Sequence, residues 1–84
     1  MRVITANVNG IRSAASKGFF TWLQQQNADV ICLQEIKAAE SQLTDKLYRP
    51  TGYHAFFSSA EKKGYSGVAI YCKQKPDAIV HHLG

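Results

Sequence analysis

No apolar run in this 84-residue chain approaches the length of about 20 residues that a membrane-spanning helix needs. The opening Met1-Arg2-Val3-Ile4-Thr5-Ala6-Asn7 has no secretory signal pattern, because polar residues interrupt it at once. A cytoplasmic location without a membrane partner is the expectation. Proline is scarce and no low-complexity tract occurs, and the composition is ordinary for a soluble globular protein. Cysteine is scarce too. There is no CxxC and no His/Cys spacing suited to zinc. Cys32 and Cys72 each lie in an apolar run, where a thiol reads as a small buried hydrophobe. A disulfide would conflict with a reducing compartment.

Charge of either sign is modest. The formal balance of +4 favours anionic partners such as a phosphate backbone, yet it is also an ordinary solubility charge. The basic residues are scattered, and only Lys62-Lys63 are adjacent. The length permits one domain at most, with a limited core.

What is present alternates between short strand-like runs and helical periodicity. Val3-Ile4-Thr5-Ala6 predicts a strand that stops at the turn-forming Asn7-Val8-Asn9-Gly10. Ile11, Ala15, Phe19, Trp22 and Leu23 then fall near one helical face. Gly18 weakens that helix and invites a kink or restart, with Ser16 as a candidate cap and Asn27 as the stop. Val30-Ile31-Cys32-Leu33 is apolar at consecutive positions, as in a central strand covered on both faces. Strand, helix and strand in this order predict a parallel crossover. Both strands would then end on the same sheet edge, bringing Asn7 and Asn9 to Gln34 and Glu35.

A polar helix is expected over residues 40–47, with Leu43 and Leu47 on its inner face. Tyr53 to Phe57 and Val68 to Cys72 predict further strands, and Ala78-Ile79-Val80 a last one. The fold class is α/β. Uncovered apolar strands are an aggregation liability, and no final helix follows the last strand, so the chain reads as truncated.

Asn7 and Glu35 occupy the crevice outside the strand carboxyl ends, where open α/β sheets place their sites. One carboxylate beside one amide suits Mg²⁺, which takes few protein oxygens and completes its shell with water and phosphate. Other roles fit the same residues. Asn7 and Asn9 suit a turn, and Glu35 suits a pairing with Lys37 or the start of a helix.

Three ordered segments resemble motifs of the exonuclease III / AP endonuclease family. They are Asn7-Val8-Asn9-Gly10-Ile11-Arg12, Cys32-Leu33-Gln34-Glu35-Ile36-Lys37, and Gly64-Tyr65-Ser66-Gly67-Val68-Ala69-Ile70-Tyr71. The Leu-Gln-Glu element alone recurs across the wider endonuclease/exonuclease/phosphatase superfamily; the three in order are specific. The resemblance implies residues 1–84 as the N-terminal portion of a single domain of that superfamily. The expected fold is the N-terminal half of a four-layer, DNase I-like α/β sandwich, with one mixed sheet and covering helices.

The resemblance further implies a nuclease acting on duplex DNA at abasic sites or 3′ ends, with Mg²⁺ or Mn²⁺ as cofactor. It matches Glu35 to the metal-coordinating glutamate and Asn7 to an active-site asparagine near that metal. Arg12 and Tyr65 match positions facing the DNA backbone, with Gly64 and Ser66 in the same loop. Asn9 stands where some members carry aspartate, and Lys37 supports the site electrostatically. Gly10 would leave backbone N–H groups to meet a phosphate.

The family's later Gly-Asp-x-Asn and Ser-Asp-His motifs do not occur here, nor does its later catalytic tyrosine. His81 and His82 do not match the family histidine, and His54 reads as structural. The isolated chain is therefore expected to be inactive, and a monomer. One alternative is a non-catalytic regulatory relative of the catabolite repression control type, acting on RNA. The retained Glu35 and the Gly-Tyr-Ser-Gly loop favour the enzyme over it. Phosphoesterase action on lipids or inositol phosphates is a further alternative, disfavoured by the Tyr65 loop.

Overall fold

The computed structural model describes residues 1–58 and 66–74. Four strands form one mixed sheet: β1 (Val3–Asn7), β2 (Val30–Gln34), β3 (His54–Ser58) and β4 (Val68–Cys72), in the order β1-β2-β4-β3. β1 and β2 are parallel, as the strand–helix–strand order predicts, while β4 runs antiparallel to both β2 and β3. The expected strand at Ala78–Val80 lies outside the described residues.

Period-two geometry sends alternate side chains of each strand to opposite faces. On one face the registered rows are Ile4, Ile31, Tyr71 and Ala55, then Ala6, Leu33, Ala69 and Phe57. Ile31, Leu33, Ala69 and Tyr71 are fully buried there, against Ile11, Phe20 and Leu23 from the helical layer. Each large side chain so buried contributes about 2 kcal/mol from apolar area. Tyr71 also donates its hydroxyl to the Tyr48 carbonyl at 2.8 Å, so its one polar atom is satisfied. Burial pushes the Tyr71 hydroxyl pKa well above its ordinary value, with Arg49 opposing and Tyr48 adding to the shift.

The opposite face is only partly covered. Val30 and Cys72 are buried there beside the half-buried Cys32 and Ile70, but Val3 and Phe56 are exposed. The consecutive apolar residues of β2 thus gain full cover on one side only. Both cysteines are free thiols, and burial raises the pKa of each.

The helix expected from Ile11 breaks in two, α1 (Ile11–Ser16) and α2 (Phe19–Gln25). Gly18 sits in the left-handed region at φ 87° and caps α2; Ser16 does not, since its hydroxyl donates to the Ser13 carbonyl. The break resets the helical phase. Phe20 takes the inward position instead of Trp22, which is 45% exposed. Asn27 follows α2 in the left-handed region, a stop for which asparagine is suited.

The polar helix expected over 40–47 is instead two 3-10 turns, Glu40–Gln42 and Lys46–Tyr48. The Gln42 side chain accepts the Ala39 N–H, and Asp45 accepts the Leu47 N–H, both at 2.9 Å. Such local side-chain bonds offer the backbone an alternative to a continuous helix. Leu43 is buried as expected, but Leu47 is 47% exposed.

Candidate metal centre and nucleic-acid interface

The parallel pairing of β1 with β2 places Asn7 opposite Gln34, one residue from Glu35. Past the strand ends the two segments stay joined. Val8, Gly10 and Ile11 donate N–H bonds to the carbonyls of Gln34, Glu35 and Ile36 at 3.1, 2.8 and 2.9 Å. On the other side, Ile36 and Lys37 donate to the carbonyls of Gly67 and Ser66 at 3.2 and 2.8 Å. The Glu35–Lys37 segment is therefore fastened from both flanks by main chain.

These bonds narrow one expectation. The N–H groups of Gly10 and Ile11 are taken by Glu35 and Ile36, so these two are not free to meet a phosphate. Gly10 instead serves the close turn, at φ 103°.

Asn9, Glu35 and Lys37 all lie in the left-handed region, at φ 46°, 55° and 53°. Non-glycine residues there cost roughly 1 kcal/mol or more each, and such strain collects at functional sites. The flanking bonds hold this backbone in place.

The side chains converge. Asn7 donates its amide Nδ2 to Glu35 Oε2, and its Oδ1 accepts the Asn9 N–H at 3.0 Å. Because an N–H can only donate, that second bond fixes which way the Asn7 amide faces. Lys37 Nζ donates to Asn9 Oδ1 and lies 3.8 Å from Glu35 Oε1. The turn role of Asn7 and Asn9, the Glu35–Lys37 pairing and the Asn7–Glu35 meeting thus coexist in one network. Glu35 remains 40% and Lys37 51% exposed, so the cluster is open to a ligand.

Among the described residues no group of three or more His, Cys, Asp or Glu side chains converges. A fully protein-built cage is therefore not formed by them. One accessible carboxylate with an amide oxygen suits a hard cation that keeps much of its water shell.

Of the expected DNA-facing residues, Arg12 is exposed in the first turn of α1, and Ser66 is exposed beside Lys37. Gly64 and Tyr65 lie outside the described residues. Lys17 and Trp22 were not singled out for a ligand by sequence; they line a groove that shares Asn9 with the cluster. One available signal is that residues 1–28 contain Arg2, Arg12 and Lys17 but no acid. Within the described residues no helix is long and apolar enough to cross a membrane.

The chain is 40% identical over 85 residues to an exodeoxyribonuclease of Bacillus subtilis (strain 168), covering 100% of this chain and 32% of that protein. It is also 40% identical over 84 residues to a DNA-(apurinic or apyrimidinic site) endonuclease of Dictyostelium discoideum, covering 100% of this chain and 23% of that protein. The chain thus spans a third or less of these relatives. Among solved structures, an AP endonuclease from Archaeoglobus fulgidus superposes with a TM-score of 0.74 at 34% identity, over 90% of this chain and 28% of that one. Its likeness agrees with the DNase I-like α/β architecture, here a mixed sheet of four strands with helices. Residues 4–83 match the Endonuclease/Exonuclease/phosphatase family, and the chain belongs to it.

Proposed function

We propose that this chain is the N-terminal portion of a divalent-metal-dependent DNA-repair nuclease that hydrolyses phosphodiester bonds at abasic sites or 3′ ends of duplex DNA. The observation that carries the reading is the Glu35 carboxylate, held by the Asn7 amide at the carboxyl end of a parallel strand pair. A relative named as a DNA-(apurinic or apyrimidinic site) endonuclease supports the substrate class.

Glu35 and Asn7 are the residues that would hold Mg²⁺ or Mn²⁺. When bound, such an ion polarises a phosphate and stabilises the leaving oxyanion. Asn7 orients the Glu35 carboxylate before the ion arrives. Asn9 holds Lys37 to one side, where its ammonium partly neutralises the carboxylate and presents a positive charge to phosphate. Arg12 and Ser66, with Gly64 and Tyr65, serve as contacts to the DNA backbone, which position a duplex without reading its sequence.

The test is incision of an abasic-site duplex by the longer parent protein, with and without Mg²⁺, beside its Glu35→Gln variant. The reading expects metal-dependent incision that falls at least about 100-fold in the variant. No incision by the parent would point instead to the non-catalytic regulatory class. The 84-residue chain alone is expected to give no turnover.

A further inference from the structure

A groove of about 390 Å³ opens beside α1 and α2, lined by Asn9, Ser13, Lys17, Gly18, Phe19 and Trp22 among others. Its volume is in the range of small-ligand sites. Asn9 lines it, and its side chain also accepts from Lys37, so the groove adjoins the Glu35 cluster. Trp22 lines it too, 45% exposed on a helix whose neighbouring Phe20 and Leu23 are buried. Phe19 backs the indole, with ring centroids 5.8 Å apart and an angle of 36° between planes. Phe19 itself packs on the core, so the aromatic pair has a rigid support.

The groove's own lining carries charge of one sign, from Lys17. Residues 1–28 carry no aspartate or glutamate. Arg12 and Lys17 are exposed, and among the described residues no ion pair involves either. Gly18 leaves open space where a side chain would stand: a Cβ there would meet nothing within 4 Å.

A cation set beside an exposed, backed indole matches how proteins hold single strands. Phosphate meets the charge and a base stacks on the ring. An intact duplex keeps its bases stacked on one another and offers no free base face. We propose that this groove seats an unpaired stretch of DNA, one base stacked on Trp22 and a neighbouring phosphate against Lys17. The strand would lead past Asn9 towards Glu35; only that direction rests on the nuclease reading above, not the binding itself.

Trp22 is the only tryptophan in the chain, so its fluorescence reports on this groove alone. The 84-residue chain would be titrated with single-stranded oligothymidylate in a chelating buffer, against a blunt duplex and inorganic polyphosphate. Saturable quenching by the single strand, and little by the other two, is the expected result. With a labelled single strand followed by anisotropy, Trp22→Ala should weaken binding about tenfold or more, while Trp22→Phe retains most of it. Lys17→Gln should lower the salt slope by about 0.7. Absence of quenching, equal quenching by polyphosphate or by duplex, or unchanged affinity in Trp22→Ala would overturn the proposal, circular dichroism confirming the variant's fold. Mn²⁺ binding at Glu35 without quenching would remove this proposal alone. Quenching without a metal site would remove the nuclease reading and leave the groove.

Discussion

The covered face of the sheet and the rim at the ends of β1 and β2 are built on opposite rules. On the face, Ile31, Leu33, Ala69 and Tyr71 are fully buried, and no buried polar side-chain atom lacks a partner among the described residues. At the rim, Asn7, Asn9, Glu35 and Lys37 are polar and bonded to one another. Three of the four described non-glycine residues with positive φ sit in this rim: Asn9, Glu35 and Lys37. The face supplies stability, and the rim stores strain that the face can carry. A chain selected for stability alone would place glycine at those positions.

The largest effect separating the two regions should come from Leu33→Ala. It removes a fully buried side chain and leaves a cavity, costing about 2–5 kcal/mol in urea unfolding. A loss below about 1 kcal/mol would mean that the face is not the main source of stability.

A smaller effect is expected from Tyr71→Phe, about 1 kcal/mol at neutral pH, because the Tyr48 carbonyl loses its hydroxyl partner. The same variant should behave differently in alkali. Burial raises the Tyr71 pKa above the ordinary value of 10.0, so the unfolded chain loses this proton first. Stability is then full below pH 10.0 and falls as pH rises past it, in the wild type but less so in the variant. Parallel alkaline transitions in the two proteins would contradict the assignment.

The smallest effect belongs to the rim. Lys37→Gly relieves a left-handed backbone at φ 53° but loses the exposed contacts to Glu35 and Asn9. The two terms nearly offset, so stability should change by less than about 1 kcal/mol. A loss as large as that of Leu33→Ala would make the rim structural.

Much of this division is legible in the sequence, and the failures are physical. The apolar runs at Val3, Val30 and Val68 announce β1, β2 and β4, and parallel pairing of the first two brings Asn7 to Glu35. Local bonding defeats the reading at residues 40–47, where Gln42 and Asp45 cap short turns. Phase defeats it at Trp22, because Gly18 restarts the helix and rotates the indole outward. At Gly10 the turn residue is recognisable, but the carbonyls that take its N–H and that of Ile11 come from a segment far along the chain. Strain at Glu35 and Lys37 is invisible in sequence, since neither residue type advertises a positive φ.

Paramagnetic broadening of amide resonances by Mn²⁺ tests the central claim most directly, because it locates even a weak metal site by residue. The account predicts preferential broadening at Asn7, Glu35 and Ile36 that vanishes in Glu35→Gln, with the fold intact. Broadening centred elsewhere, or unchanged in that variant, would contradict a metal centre at the strand ends.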